Sequence, residues 1–247
     1  MRLKDKVAIV TGAGSGFGEG IARRFAEEGA KIMAADIKQS AAQAVAATIP
    51  EARPCSVDVA DDEQVKALAD ATLDAFGRID ILVNNAGIAQ LNQPMLDVDE
   101  ATFDRLYAVN VKSIYLTARH IVPHLVASGG NIVNIASTAA VSPRAGLTWY
   151  NGTKGAVVTL TKSMAMELAP DKVRVNAVNP VIGNTGLTVD FMGGVDDPTI
   201  RERFVSTIPL GRMSTPLDIA NATLFLASSE ADLITGVCME VDGGRCI

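Results

Sequence analysis

The chain has few of the residues that cross-link or coordinate. It holds three cysteines in 247 residues, Cys55, Cys238 and Cys246, odd in number and far apart, with no C-x-x-C pair. His120 and His124 are its only imidazoles. That supply argues against a disulfide framework and a structural zinc site, and no metal is expected. Aromatic residues make up 4% of the chain, there is no basic run, and the formal net charge is −6, so nucleic acid is not an expected partner. Long apolar runs are also missing. Met1–Lys6 leads straight into a five-residue strand-like run, too short for a signal peptide or a membrane span, and a cytoplasmic location is the default expectation. No G-x-S-x-G elbow occurs and neither histidine has a hydrolase context, which argues against a serine hydrolase.

What is present is aliphatic: the chain is 48% hydrophobic and rich in Ala, Val and Ile, which favours helices packed on strands buried on both faces. Short apolar runs predict strands at 7–11, 31–36, 52–57, 79–84, 131–136, 174–178 and 237–241. Amphipathic stretches between them predict helices at 17–28, 40–48, 148–168 and 216–227, another that Asp61 or Asp62 caps and that runs to Phe76, and one long or broken helical region at 99–127. The alternation implies parallel pairing through right-handed crossovers. No linker or repeat divides the chain, so a single domain spanning 1–247 is expected. The long aperiodic stretch 184–213, with Gly193-Gly194 and Asp196-Asp197-Pro198, reads as a lid over a site.

Thr11-Gly12-Ala13-Gly14-Ser15-Gly16-Phe17-Gly18 lies between the first strand and the first helix. Glycines there permit a tight turn and close backbone approach to a pyrophosphate, which the helix N-terminus stabilises. Phe17 occupies what would be the third glycine of G-x-G-x-x-G, and the spacing is instead T-G-x-x-x-G-x-G. Asp36 ends the second strand, where an acidic group accepts hydrogen bonds from ribose hydroxyls and repels a 2′-phosphate, so NAD(H) is expected rather than NADP(H). Lys38 weakens that reading slightly, and a helix-capping aspartate is the competing one.

Tyr150 and Lys154 are four apart and share a helix face, and Ser137 lies thirteen positions before the tyrosine. A tyrosine ionises near pH ~10, and a neighbouring ammonium would bring it toward the working range. A serine hydroxyl there can hold a substrate oxygen against the phenol; capping of a following turn is its alternative. Tyr-x-x-x-Lys is short, and alone it is more often a surface pair than a catalytic one.

Taken in order, these motifs resemble the short-chain dehydrogenase/reductase family, in its form of about 250 residues, over nearly the whole chain. Asp58-Val59, Asn84-Asn85-Ala86-Gly87, Asn179-Pro180 with Thr185, and Asp242-Gly243-Gly244 complete the resemblance. It implies a doubly wound, mostly parallel Rossmann-type sheet of about seven strands with helices on both faces. It also implies a catalytic set of Asn110, Ser137, Tyr150 and Lys154. In that set Lys154 lowers the tyrosine pKa and bonds the nicotinamide ribose, and Asn110 holds a water linking Lys154 to solvent. For Asn110, plain satisfaction of helix backbone is the alternative. The implied cofactor contacts are Gly12, Ser15, Gly16, Phe17 and Gly18 in the loop, Asp36 and Ile37, Asp58 and Val59, and Asn85, Ala86 and Gly87. Tyr150, Lys154, Pro180, Ile182 and Thr185 complete them. Val181 stands where the family usually has glycine, which puts the loop beside the nicotinamide in question. A homotetramer is the family's common assembly, with helical pairs around 103–126 and 148–168 and the last strand at its interfaces.

The substrate wall is expected from Ser137, Ala139, Leu147, Tyr150, Val181, Leu187 and Phe191, with Val141, Ile182 and Met192 nearby. It is mostly apolar and suits a small hydrophobic or amphiphilic alcohol or ketone. Arg144 is either a contact for a substrate anion, a solvated loop charge or a subunit contact. Three functions compete: an NAD-dependent secondary-alcohol dehydrogenase or ketone reductase, a 3-oxoacyl thioester reductase, and a dinucleotide-binding regulator without turnover. The last has no need of a proton relay.

Overall fold

The computed structural model describes all 247 residues. Seven strands, β1 (Val7–Thr11), β2 (Lys31–Asp36), β3 (Ala52–Ser56), β4 (Ile81–Asn84), β5 (Asn131–Ile135), β6 (Arg174–Pro180) and β7 (Cys238–Val241), form one sheet. Its order is β3-β2-β1-β4-β5-β6-β7, and each pairing is parallel. Nine α-helices accompany it: α1 (Gly16–Glu27), α2 (Gln39–Ala46), α3 (Asp62–Phe76), α4 (Glu100–Tyr107), α5 (Ser113–Ser128), α6 (Thr148–Leu168), α7 (Thr188–Phe191), α8 (Pro198–Val205) and α9 (Pro216–Ala227).

The strands read as continuous apolar runs because both sheet faces are covered. Successive residues point to opposite faces and enter different cores. Ala8, Val10, Ile81, Val83 and Val133 pack with Ile21 and Phe25 of α1 and Ile219 and Leu224 of α9. Ile9, Leu82 and Ile132 pack with Val65 and Leu68 of α3 and Ile121 and Leu125 of α5. A chain of buried amides and hydroxyls ties the sheet centre to two helices. Thr117 donates to Asn84 (3.0 Å), Asn84 to Asn134 (2.9 Å) and Asn134 to Thr161 (2.9 Å). Between β1 and β4 the strand order reverses, opening a crevice at the carboxyl ends of the strands where α/β proteins bind ligands.

The structure adjusts several element boundaries. β4 begins at Ile81, two residues later than its apolar run, because buried Asp80 accepts from the Val7 N–H (2.9 Å) and from Arg78 Nε (2.8 Å). The 99–127 region is broken: α4 and α5 are joined by a π-helical turn, Ala108–Lys112, which carries Asn110. The 184–213 stretch is less irregular than its sequence suggests, since it contains α7 and α8. Asp197 caps α8, accepting from the Thr199 N–H at 2.7 Å, with Pro198 at the first helical position.

Candidate active site

The cleft begins at the loop after β1. Gly12 holds φ +64°, a left-handed conformation, and a side chain there would press on the Asn85 amide. Gly18 sits so close to the Gly12 carbonyl that any Cβ would collide with it, which lets α1 start directly behind the turn. Asn85 fixes the loop from across the crevice. Its Nδ2 donates to the carbonyls of Thr11 (2.8 Å) and Gly12 (3.2 Å), while Thr11 Oγ1 accepts from the Asn85 and Ala86 N–H groups, both at 3.0 Å. Ser15, at the N-cap of α1, makes no side-chain capping bond, so the first-turn N–H groups are free to face an anion.

Asp36 extends from the end of β2 into this cleft. Its Oδ2 accepts from the Gly14 N–H and its Oδ1 from the Lys38 N–H, both at 2.9 Å, so the carboxylate steadies both the glycine turn and the start of α2. Asp58 lines the cleft further along, accepting from the Ala60 N–H at 2.9 Å and meeting Arg105 of α4 at 3.1 Å. Arg105 lines the same cleft and was not expected there. Its partner lies forty-seven residues earlier, and no local pattern marks the pair.

Ser137, Tyr150 and Lys154 line the other end. Tyr150 lies in the first turn of α6, whose N-cap, Leu147, provides no side-chain acceptor. The missing bond is supplied from a loop: buried Gln90 accepts from the Tyr150 N–H at 3.0 Å. Leu147 and Leu106 pack on Tyr150, and the Phe191 ring meets it edge-on, 5.2 Å between centroids at 62°. Lys154 donates to the carbonyl of Ile135 at 2.9 Å and stands 5.8 Å from the centre of the tyrosine ring. Asn110 lies behind Gly87: its Oδ1 accepts from the Ile88 N–H, and its Nδ2 donates to the Ile88 carbonyl, each at 2.9 Å, and to Thr153 Oγ1 at 3.1 Å. A Cβ on Gly87 would meet both Asn110 Oδ1 (3.3 Å) and Lys154 Nζ (3.5 Å), so these two groups flank one glycine.

Burial sets the protonation states in this structure. It pushes the Tyr150 phenol up to about 12, with the Ser137 hydroxyl opposing in part. It lowers Lys154 to about 8. The shift runs opposite to the one expected from the Lys154 ammonium: burial comes first, and the Ser137 hydroxyl is what opposes it.

Every cofactor residue expected from the sequence lines the cleft except Gly18, which is packed beneath the turn. Of the substrate set, Ser137, Tyr150, Val181, Leu187 and Phe191 line it. Ala139 and Leu147 do not; both pack behind Tyr150. Met192 is buried in a cluster with Val181, Ile182, Phe204 and Ile208, and Val141 is exposed. Ser137 also performs the turn-capping role, accepting from the Ala139 N–H at 3.1 Å.

A family model described as Enoyl-(Acyl carrier protein) reductase matches residues 12–245. The chain is 48% identical to 4-formylbenzenesulfonate dehydrogenase of Comamonas testosteroni over 252 aligned positions, covering 100% of each. It is 37% identical to meso-2,3-butanediol dehydrogenase of Serratia marcescens, covering 99% of this chain and 96% of that one. Among solved structures, 3-ketoacyl-(acyl-carrier-protein) reductase from Brucella melitensis complexed with NADH superposes with a TM-score of 0.94 at 46% identity, covering 99% of this chain and 100% of that one. With these matches across its length, the chain belongs to the short-chain dehydrogenase/reductase family, oxidoreductases acting on CH–OH groups.

Proposed function

We propose that the chain interconverts an alcohol and a carbonyl compound with NAD(H), using Ser137, Tyr150 and Lys154 with Asn110 in support. The observation that carries this is the cleft itself, which joins a glycine turn and an acidic strand end to Ser137 and the buried Tyr150 and Lys154. The residues fit the dinucleotide. The uncapped N-terminus of α1 offers N–H groups to a pyrophosphate, and the Asp36 carboxylate suits ribose hydroxyls and opposes a 2′-phosphate. The relative of solved structure carries NADH, which supports the same choice. A dinucleotide held by these residues would supply the hydride exchange with the substrate carbon. Ser137 orients the substrate oxygen. Tyr150, neutral at physiological pH by its burial, is set to deliver a proton to a forming alkoxide. In the reverse direction the ionised phenolate, not the neutral phenol, takes the alcohol proton. Lys154 holds positive charge beneath it, and Asn110 keeps Gly87 and Ile88 in place.

Leu187 and Phe191 belong to the 184–213 segment, which we read as the lid of a single domain. Their apolar surface suits a hydrophobic or aromatic substrate body. The 48% identical relative is named for an aromatic aldehyde that also carries a sulfonate, and such aldehydes are the first substrates to try. The 3-oxoacyl thioester reading retains support from the relative of known structure. Exposed Tyr115 on α5 and Met166 on α6 support assembly through those helices into a homotetramer. No helix is long and apolar enough to cross a membrane, which accords with a cytoplasmic setting. The decisive assay follows NADH absorbance with aldehydes, ketones, secondary alcohols and 3-oxoacyl thioesters, in the wild type and Tyr150→Phe. Carbonyl-dependent oxidation of NADH that Tyr150→Phe abolishes, with NADH binding preserved, is the expected result. Retained turnover in the variant overturns the role of Tyr150, and activity confined to thioesters selects the second reading.

A further inference from the structure

One ion pair of the chain has both members on the cleft wall: Arg105 Nη2 meets Asp58 Oδ2 at 3.1 Å. The other ion pairs lie off that wall, as do Arg23–Glu19 along α1 and Lys66–Asp70 along α3. Arg105 is half-exposed, and a pair of that kind adds little to folding, so stability does not account for its placement.

The two residues come from different elements. Asp58 follows β3, in a turn that holds itself together: its N–H donates to Gln64 Oε1 and its Oδ1 accepts from the Ala60 N–H, each at 2.9 Å. These bonds fix the main chain and one carboxylate oxygen. The other oxygen, Oδ2, has only Arg105 of α4 as its partner. A carboxylate oxygen carries two lone pairs, so it can accept a second donor while it holds the first.

Place in the cleft identifies that second donor. Beyond Asp36 the wall consists of Ile37, Val59, Val109 and the Asp58–Arg105 pair. A dinucleotide with its nicotinamide at Tyr150, its pyrophosphate at α1 and a ribose at Asp36 would have only its purine left for this end. The three aliphatic side chains suit the faces of a purine. The exocyclic amino group on the edge of adenine is a donor, and Oδ2 is an acceptor with a lone pair to spare.

We propose that Arg105 is a positioning residue for adenine: through the ion pair it holds Asp58 so that Oδ2 accepts from the purine amino group, and it thereby favours adenine over a purine with an oxo group at that place. This rests on the dinucleotide reading above. It gives Arg105 no part in proton or hydride transfer.

The test measures binding rather than turnover. Wild type, Arg105→Ala and Arg105→Lys are titrated with NADH, reduced nicotinamide hypoxanthine dinucleotide and reduced nicotinamide mononucleotide, followed by nicotinamide fluorescence. The two dinucleotides carry the same pyrophosphate charge and differ only in the purine, so a general loss of positive charge weakens both alike and cancels in their ratio. The wild type should prefer NADH roughly tenfold, the size of a charge-assisted hydrogen bond. In Arg105→Ala the preference should fall to about twofold or less, because Asp58 is free to turn to water. Arg105→Lys keeps a cation for Asp58 and should restore most of it. The mononucleotide lacks the adenosine half and should bind wild type and variants nearly alike. Arg105→Gln, uncharged and of similar length, carries the same expectation as Arg105→Ala and replaces it if a lowered Tm shows that variant to be misfolded. A wild type without preference, or a ratio unchanged or raised in the neutral variants, overturns the role of Arg105. If NADH binds and no carbonyl compound is reduced, the catalytic reading fails and the ratio still decides Arg105. A wild type that binds neither dinucleotide overturns this inference together with the choice of cofactor.

Discussion

Asn110 clasps the main chain of Ile88 from both sides, accepting its N–H and donating to its carbonyl, each at 2.9 Å. The π-helical turn that carries Asn110 interrupts the helical ladder and directs the side chain to a neighbouring loop. Through that clasp it fixes Gly87, which lies between Asn110 Oδ1 and Lys154 Nζ. Asn110→Ala leaves two main-chain groups without partners and should lower unfolding stability by about 1–3 kcal/mol. Turnover should fall with it, as the Gly87 segment loosens beside Lys154. Asn110→Asp keeps the acceptor and loses the donor, so it should lie between the two. Urea midpoints paired with kcat check this; an unchanged midpoint in Asn110→Ala would show that the loop is held by other contacts.

The elements legible in the sequence are those specified by local pattern. Val7–Thr11 and Lys31–Asp36 are strands because their apolar runs are short and bounded, and the Thr11–Gly18 turn follows from glycine spacing. Tyr150 and Lys154 share a face by helical period alone. What was not legible depends on partners distant in sequence. Gln90 supplies the bond to Tyr150 from sixty residues away, and Arg105 finds Asp58 across the cleft. The direction of the Tyr150 shift also needed the fold, since burial by Leu106, Leu147 and Phe191 is a tertiary fact. The helix α7 escaped because it is four residues long, too short for periodicity to appear.

Asp36 should determine which dinucleotide binds. Its carboxylate is held in place by the Gly14 and Lys38 N–H groups, so it cannot swing away from a 2′-phosphate without breaking both. Asp36→Asn keeps the shape and removes the charge. NAD affinity should weaken roughly tenfold, about 1.4 kcal/mol, and discrimination against NADP should shrink. Fluorescence titration with both dinucleotides measures this. Discrimination that survives the substitution intact would place its origin elsewhere.

Phe191 keeps water from the phenol. With its ring centroid 5.2 Å from that of Tyr150, it belongs to the enclosure that pushes the phenol up to about 12. Phe191→Ala should admit water and let the pKa fall toward the ordinary value near ~10. With Tyr150 as the proposed proton donor, carbonyl reduction would need the protonated phenol, so its rate should fall as pH rises through that pKa. The alkaline limb of kcat should therefore move to lower pH in Phe191→Ala and stay nearly in place in Phe191→Leu. A pH–rate series on one neutral aldehyde separates the variants, and coincident limbs would remove Phe191 from this role.

Lys154 should leave its mark on stability as well as on rate. Burial lowers it from the ordinary 10.5 to about 8, so within that window the unfolded chain binds a proton that the native chain has released. Stability therefore rises with pH from about 8 to 10.5, because protons favour the unfolded side. Below the window both states are protonated and the cost of burying the ammonium is felt in full. Tyr150 acts in the opposite sense at higher pH: between 10 and about 12 the native chain keeps a proton that the unfolded chain has lost, and stability falls. Lys154→Met removes only the first window. Urea unfolding on both sides of it should show the wild type gaining on the variant by up to about 3 kcal/mol as pH rises, from a linkage of about 1.4 kcal/mol per unit. A difference that stays level across the window would mean that the ammonium is not dehydrated in the folded chain, and the low pKa of Lys154 would then have no basis in its burial.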